Sequence, residues 1–188
     1  MTQKRPISTR RIVLAALMAA LTVAGSALRI TLPVSIMGTT AFHLGNIFCA
    51  LSGILLGPGL GGLAAGLGSA IYDMFNPLYI AEAWVTFLMK GAYGLVAGLI
   101  VRGSKQEIGY LKATLATVAG ALTYAVLYLA KSYCKGIWVS GLTSAASALA
   151  LLEKVPATVF NAVIAILCAP VMARAIQQAL KRNHISLD

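Results

Sequence analysis

The stretch AFHLGNIFCALSGILLGPGLGGLAAGLGSAIYDMFNP, residues 41–77, decides the fold. It holds two short apolar segments, Phe42–Leu56 and Leu60–Phe75, hinged at Gly57-Pro58-Gly59. A Pro-Gly turn between apolar runs reverses the chain. Polar groups sit only at the far ends, His43 and Asn46 at one and Asp73 and Asn76 at the other, so the reversal returns both to one face. Gly53/Gly57 and Gly62/Gly66 repeat at four-residue spacing, which lines a helix face with small residues and lets backbones approach closely in lipid. The stretch predicts a packed helical hairpin with a polar rim on one side of a membrane.

Composition extends that reading to the whole chain. Of 188 residues, 59% are apolar and 11% charged, and the mean hydropathy is +0.85. A soluble domain carries about 25% charged residues, so this is the composition of an integral membrane protein. At about 20 residues per span, the length accommodates six transmembrane helices. The expected fold class is all-α, a single transmembrane domain over residues 1–188 with no room for a soluble catalytic domain. The net charge of +10 raises the question of a nucleic-acid partner. With the N-terminus inside, however, ten of the 15 basic residues, from Lys4 to Arg182, fall on one side, and Arg29, Lys90, Lys131, Lys135 and Lys154 fall on or toward the other. That asymmetry fits the positive-inside rule with both termini cytoplasmic, residues 1–9 and 176–188 being tails. A nucleic-acid site would want a basic face instead.

The first helix is expected over Arg10–Ile30. Its basic start and apolar run imitate a signal peptide, but the run is too long and further spans follow, so it reads as a retained helix. Thr31–Ala41, broken by Pro33 and Gly38, reads as an external loop. The fourth helix is expected over Trp84–Val101 and the fifth over Leu111–Ala130. Lys131–Ala148 is then the longest connection, part of it lying on the membrane surface or over the site. The sixth helix runs from near Leu149 to near Ala175, with Pro156 in its first turns, where proline is best tolerated. Cys49, Cys134 and Cys168 are widely spaced, with no CxxC, so neither disulfides nor a metal site is expected.

An ionisable residue inside a span is costly and reads by default as functional. Lys90 lies about two turns into the fourth helix and shares its face with Thr86 and Tyr93. It would donate to an oxygen or ring nitrogen of a ligand; the alternatives are an ion pair with Asp73, Glu82 or Glu153, or snorkelling. On the fifth helix Tyr124, Tyr128 and Lys131 share one face, suited to stacking on and hydrogen-bonding a flat polar ring, or else forming an interfacial belt. Lys154, Thr158 and Asn161 repeat the pattern on the sixth helix, and the Asn161 amide needs either a ligand or a neighbouring helix. His43 and Asn46 at the hairpin rim are further candidates, with Trp84 as a stacking wall.

Enzyme signatures are missing: there is no HExxH, no GxSxG and no paired acid motif on one helix. GLIVRGSK (98–105) fails as a phosphate loop, because Lys and Ser are in the wrong order and no strand precedes it. No cofactor is expected. The residues describe a ligand-binding membrane protein that must borrow energy or act passively. The rivals are an ion-coupled carrier, which would want a mid-membrane carboxylate, a small membrane enzyme, and an assembly factor without a pocket.

Taken in order, RRIVLAALMAAL (10–21), FHLGNIFCALSGILLGPGLGGLAAGLGSAIYD (42–73), TFLMKGAYGLVAGLI (86–100) and LEKVPATVFNAVIAILCAPV (152–171) resemble the substrate-binding S components of bacterial energy-coupling factor (ECF) transporters. The likeness is to the branch that takes up riboflavin, hydroxymethylpyrimidine and pyridoxine-like vitamins, and it covers most of the chain. Asn46 stands where the HLGN pattern (43–46) more often has Asp. The resemblance implies a buried site opening outward, a first external loop acting as a lid, and ligand contacts from the outer ends of helices four to six. It also implies that Ala16/Ala20, with Ala15/Ala19, dock on a transmembrane scaffold (T) subunit driven by two cytoplasmic ATPases in the bacterial plasma membrane.

Overall fold

The computed structural model describes residues 8–34, 38–104 and 108–183. The described residues form six α-helices, a short 3-10 turn and one β-hairpin. Ser8 caps α1 (Thr9–Ala27) by accepting from the Arg11 amide. The chain then pairs β1 (Arg29–Val34) antiparallel with β2 (Gly38–His43), in a register that sets Arg29 opposite His43 and Val34 opposite Gly38. This hairpin corrects the expectation of an irregular loop. Each strand of a two-stranded sheet is an edge strand, where proline is tolerated, so Pro33 does not break the pairing.

The helical hairpin follows as α2 (Gly45–Leu56) and α3 (Pro58–Met74). Gly57 between them has φ +78°, a left-handed conformation that only glycine adopts without strain, and Pro58 starts α3 at the position where its missing N–H costs nothing. The glycine face packs backbone to backbone: a Cβ on Gly53 would lie 2.3 Å from the Gly94 carbonyl oxygen of α4. Ten of the 12 residues of α2 are buried. At about 1.5 Å per residue α2 spans only about 18 Å, short of the ~30 Å hydrocarbon core, and the surrounding helices shield it.

A short 3-10 turn (Ile80–Glu82) leads into α4 (Ala83–Val101), which is followed by α5 (Tyr110–Trp138) and α6 (Ser144–Arg182). Among the described residues, four segments are long and apolar enough to cross a membrane: Thr9–Ala27, Ile80–Val101, Tyr110–Trp138 and Ser144–Arg182. Two expectations are corrected here. Lys131–Trp138 is not a surface connection but the last turns of α5. Likewise α6 begins at Ser144, capped by Thr143, and runs to Arg182, so Pro156 lies inside the helix instead of in its first turn.

The two ends of the bundle differ. The Arg11 guanidinium donates to the Leu56 carbonyl at 2.8 Å, and the Ile108 amide donates to Gln177 Oε1 at 3.2 Å. The start of α1, the Gly57 turn, the α4–α5 connection and the last turns of α6 therefore share one end. The β-hairpin, the Phe75–Glu82 connection and the start of α6 share the other. On α1, Ala15 and Ala19 pack against the core while Ala16 and Ala20 face outward.

Candidate functional site

A cavity of about 270 Å³ opens at the end that carries the β-hairpin. Six of the residues expected from the sequence line it: His43, Lys90, Tyr128, Lys131, Lys154 and Asn161. The end of α1, β2, α3, the Phe75–Glu82 connection and α4 to α6 all contribute to its wall.

Tyr124 and Tyr128 of α5 line the cavity, and Tyr93 of α4 stacks behind Tyr124, outside the lining. Tyr93 and Tyr124 are stacked with ring centroids 6.4 Å apart, and Tyr124 and Tyr128 with 5.7 Å. Lys90 is 3% exposed. Its ammonium sits 4.0 Å from the centre of the Tyr124 ring and donates to Asn46 Oδ1. An ammonium has three protons, and Asn46 takes one. Asn46 does not line the cavity, so its place is behind Lys90, holding that group over the ring. No carboxylate lies within ion-pair range of Lys90 among the described residues.

Asn161 makes two bonds within the protein. Its Oδ1 accepts from the His43 amide at 2.9 Å and its Nδ2 donates to the Ala41 carbonyl at 2.8 Å. Where a neighbouring helix was one expected partner, the amide instead bonds β2 and latches it onto α6, while still lining the cavity. His43 Nδ1 accepts from the Gly45 amide at 3.2 Å, which fixes the tautomer and leaves Nε2–H as the ring's donor. Burial, with Lys90 and Arg29 nearby, holds the imidazole well below its ordinary range, so the ring is neutral.

At the mouth, Lys131 and Lys135 both bond Glu82. Lys131 and Lys154 approach the Tyr128 ring to 5.5 and 5.7 Å. Trp84 is 69% exposed and takes no part in the lining, which corrects its expected role as a stacking wall. Its position on the first turn of α4 turns it toward the outside. Sequence reasoning had not placed Arg29 or Asp73 in the cavity. Arg29 donates to the Ser26 carbonyl at 2.9 Å and lies 4.3 and 4.8 Å from the Tyr72 and Tyr79 rings. The hairpin register delivers it there, and that register was hidden as long as the segment read as a loop.

The arrangement can hold a small flat solute: aromatic faces, buried N–H donors and a wall supplied by β2. A sequence model of the family described as ECF-type riboflavin transporter, S component, matches residues 6–178. The chain belongs to this family. It is the substrate-binding component of an ECF vitamin transporter, a multi-pass membrane protein whose family takes a small-molecule substrate and works with T and ATPase subunits. A Pyrococcus woesei protein described as an uncharacterized protein in a gap 3' region is 33% identical over 114 residues, which cover 61% of this S component and 72% of that relative.

Proposed function

We propose that this S component captures a small water-soluble vitamin or related heterocycle of the pyridoxine, hydroxymethylpyrimidine or riboflavin type from outside the cell and delivers it inward. The observation that carries this reading is the buried Lys90 ammonium, held over Tyr124 by Asn46 and opening on a cavity of about 270 Å³. That volume lies near the lower end of the ~300–1,000 Å³ typical of ligand sites. In this reading Lys90, His43, Tyr128, Lys131 and Lys154 touch the ligand, while Asn46 and Asn161 position Lys90 and β2.

Six spans with both termini cytoplasmic fit the bundle, because Arg11, Arg102, Lys112 and Arg174 lie on elements at the end remote from the cavity. The protein itself is not an enzyme in this account. ATP hydrolysis belongs to two cytoplasmic ATPases, coupled through a T subunit in the bacterial plasma membrane. Ala16 and Ala20, facing outward on α1, are the docking surface for that subunit. Replacing both with Leu should abolish uptake by cells while ligand binding to the purified protein survives; loss of both would argue against a docking role.

The direct test is to purify the protein from rich medium and identify what it releases on denaturation. A vitamin-like heterocycle is expected. Release of no small molecule, together with no thermal stabilisation by riboflavin, pyridoxine or hydroxymethylpyrimidine, would refute the reading.

A further inference from the structure

The charges that face the cavity are unbalanced. Arg29, Lys90, Lys131, Lys135 and Lys154 line it against Asp73 and Glu82, five positive groups less two negative, an excess of three. Four of the five cations have partners in the protein. Arg29 bonds Ser26 and stacks on two tyrosines, Lys90 bonds Asn46, and Lys131 and Lys135 clasp Glu82.

Lys154 is different. It is 5% exposed and lines the cavity, yet among the described residues its ammonium makes no hydrogen bond and no ion pair. It lies 5.7 Å from the centre of the Tyr128 ring, which Lys131 approaches to 5.5 Å, and Glu82 and Glu153 attract it without forming an ion pair among the described residues. The side chain is buried along its length but its ammonium faces the cavity, so its three protons are offered to whatever fills that space. A neutral hydroxyl would supply one acceptor but leave the cavity's excess charge in place. An anion beside the Tyr128 ring would accept from Lys154 and draw on Lys131 as well.

We propose that the ligand carries an acidic group, a carboxylate or a phosphate monoester, which binds beside Tyr128 and accepts from Lys154 and Lys131. This inference rests on the reading of the cavity as a vitamin site and narrows its substrate class to anionic heterocycles.

The test compares matched pairs on the purified full chain at low salt: riboflavin with riboflavin 5'-phosphate, and pyridoxine with both pyridoxine 5'-phosphate and 4-pyridoxic acid. In at least one scaffold the acidic member should bind about tenfold or more tightly than its neutral parent, the low end of what a hydrogen bond to a charged group contributes. The phosphate and carboxylate arms tell the two acidic groups apart. Lys154→Gln should cut the preference by about fivefold or more, and Lys154→Arg should keep it, since the guanidinium restores the charge. The wild-type comparison stands even if a variant fails to fold. Equal or tighter binding of every neutral parent, or a preference that Lys154→Gln leaves intact, overturns the acidic group while the vitamin reading stands. Binding by no member of any scaffold overturns both.

Discussion

Asn161→Leu is the perturbation whose consequence follows most directly from the geometry. Leucine is close in size to asparagine but can neither donate nor accept. The substitution removes two hydrogen bonds, at 2.9 and 2.8 Å, that fasten the His43 amide and the Ala41 carbonyl of β2 to α6. At about 0.5–1.5 kcal/mol net for each bond, the closed hairpin loses about 1–3 kcal/mol. If β2 must leave for the ligand to leave, that loss appears in the dissociation rate as an increase of about 5- to 150-fold. Stopped-flow displacement of the bound ligand measures the rate. Hydrogen exchange at the His43 amide reports the hairpin independently, and its protection should fall by a similar factor. A dissociation rate within about twofold of wild type, with His43 protection unchanged, would refute the latch; the threshold lies well below the smallest change that two lost bonds give.

Three further outcomes follow from the same contacts. Lys90→Ala should weaken ligand binding by about tenfold or more, about 1.4 kcal/mol, and Asn46→Leu should lower the Tm further than Lys90→Ala does, because it strands a buried ammonium; equal Tm losses in the two variants would contradict the pairing seen at Lys90. Because the His43 pKa is lower in the folded protein than in the unfolded chain, the unfolded state takes up protons first. The stabilisation from its neutral form is therefore present above about pH 6.5 and declines as pH falls below it; thermal unfolding in detergent should show a lower Tm at pH 5 than at pH 7.5, with a flatter profile in His43→Gln, and an identical slope in the variant would remove His43 from that role. Gly53→Ala should destabilise the protein by about 1–3 kcal/mol through collision with the Gly94 carbonyl, whereas Gly59→Ala, with open space around it, should fold normally; similar Tm values for the two would contradict the backbone-to-backbone packing.

The helical core was legible because its signals are local. Gly57-Pro58 encodes both the end of one helix and the start of the next, and four-residue glycine spacing encodes close packing whatever the partner. Lys90 stood out because an ammonium in an apolar segment needs a reason. The β-hairpin was hidden for the opposite cause: its support comes from Asn161, over 100 residues away in the chain, while Pro33 and Gly38 locally read as breakers. The length of α5 was misread because Lys131 and Lys135 look like a membrane boundary, and the carboxylate that absorbs their charge, Glu82, arrives from another element. Trp84 was assigned to the site by proximity in sequence, which does not specify how α4 is rotated against its neighbours.

The central claim is that a solute, and not another part of the protein, fills the space between the α5 tyrosines and β2. An experimental structure of the protein with its co-purified ligand tests this most directly. The account predicts ligand density stacked along Tyr124 and Tyr128, within hydrogen-bonding distance of Lys90 Nζ and beneath the latched hairpin. A ligand bound elsewhere, with protein side chains closing the cavity around Lys90, would contradict it.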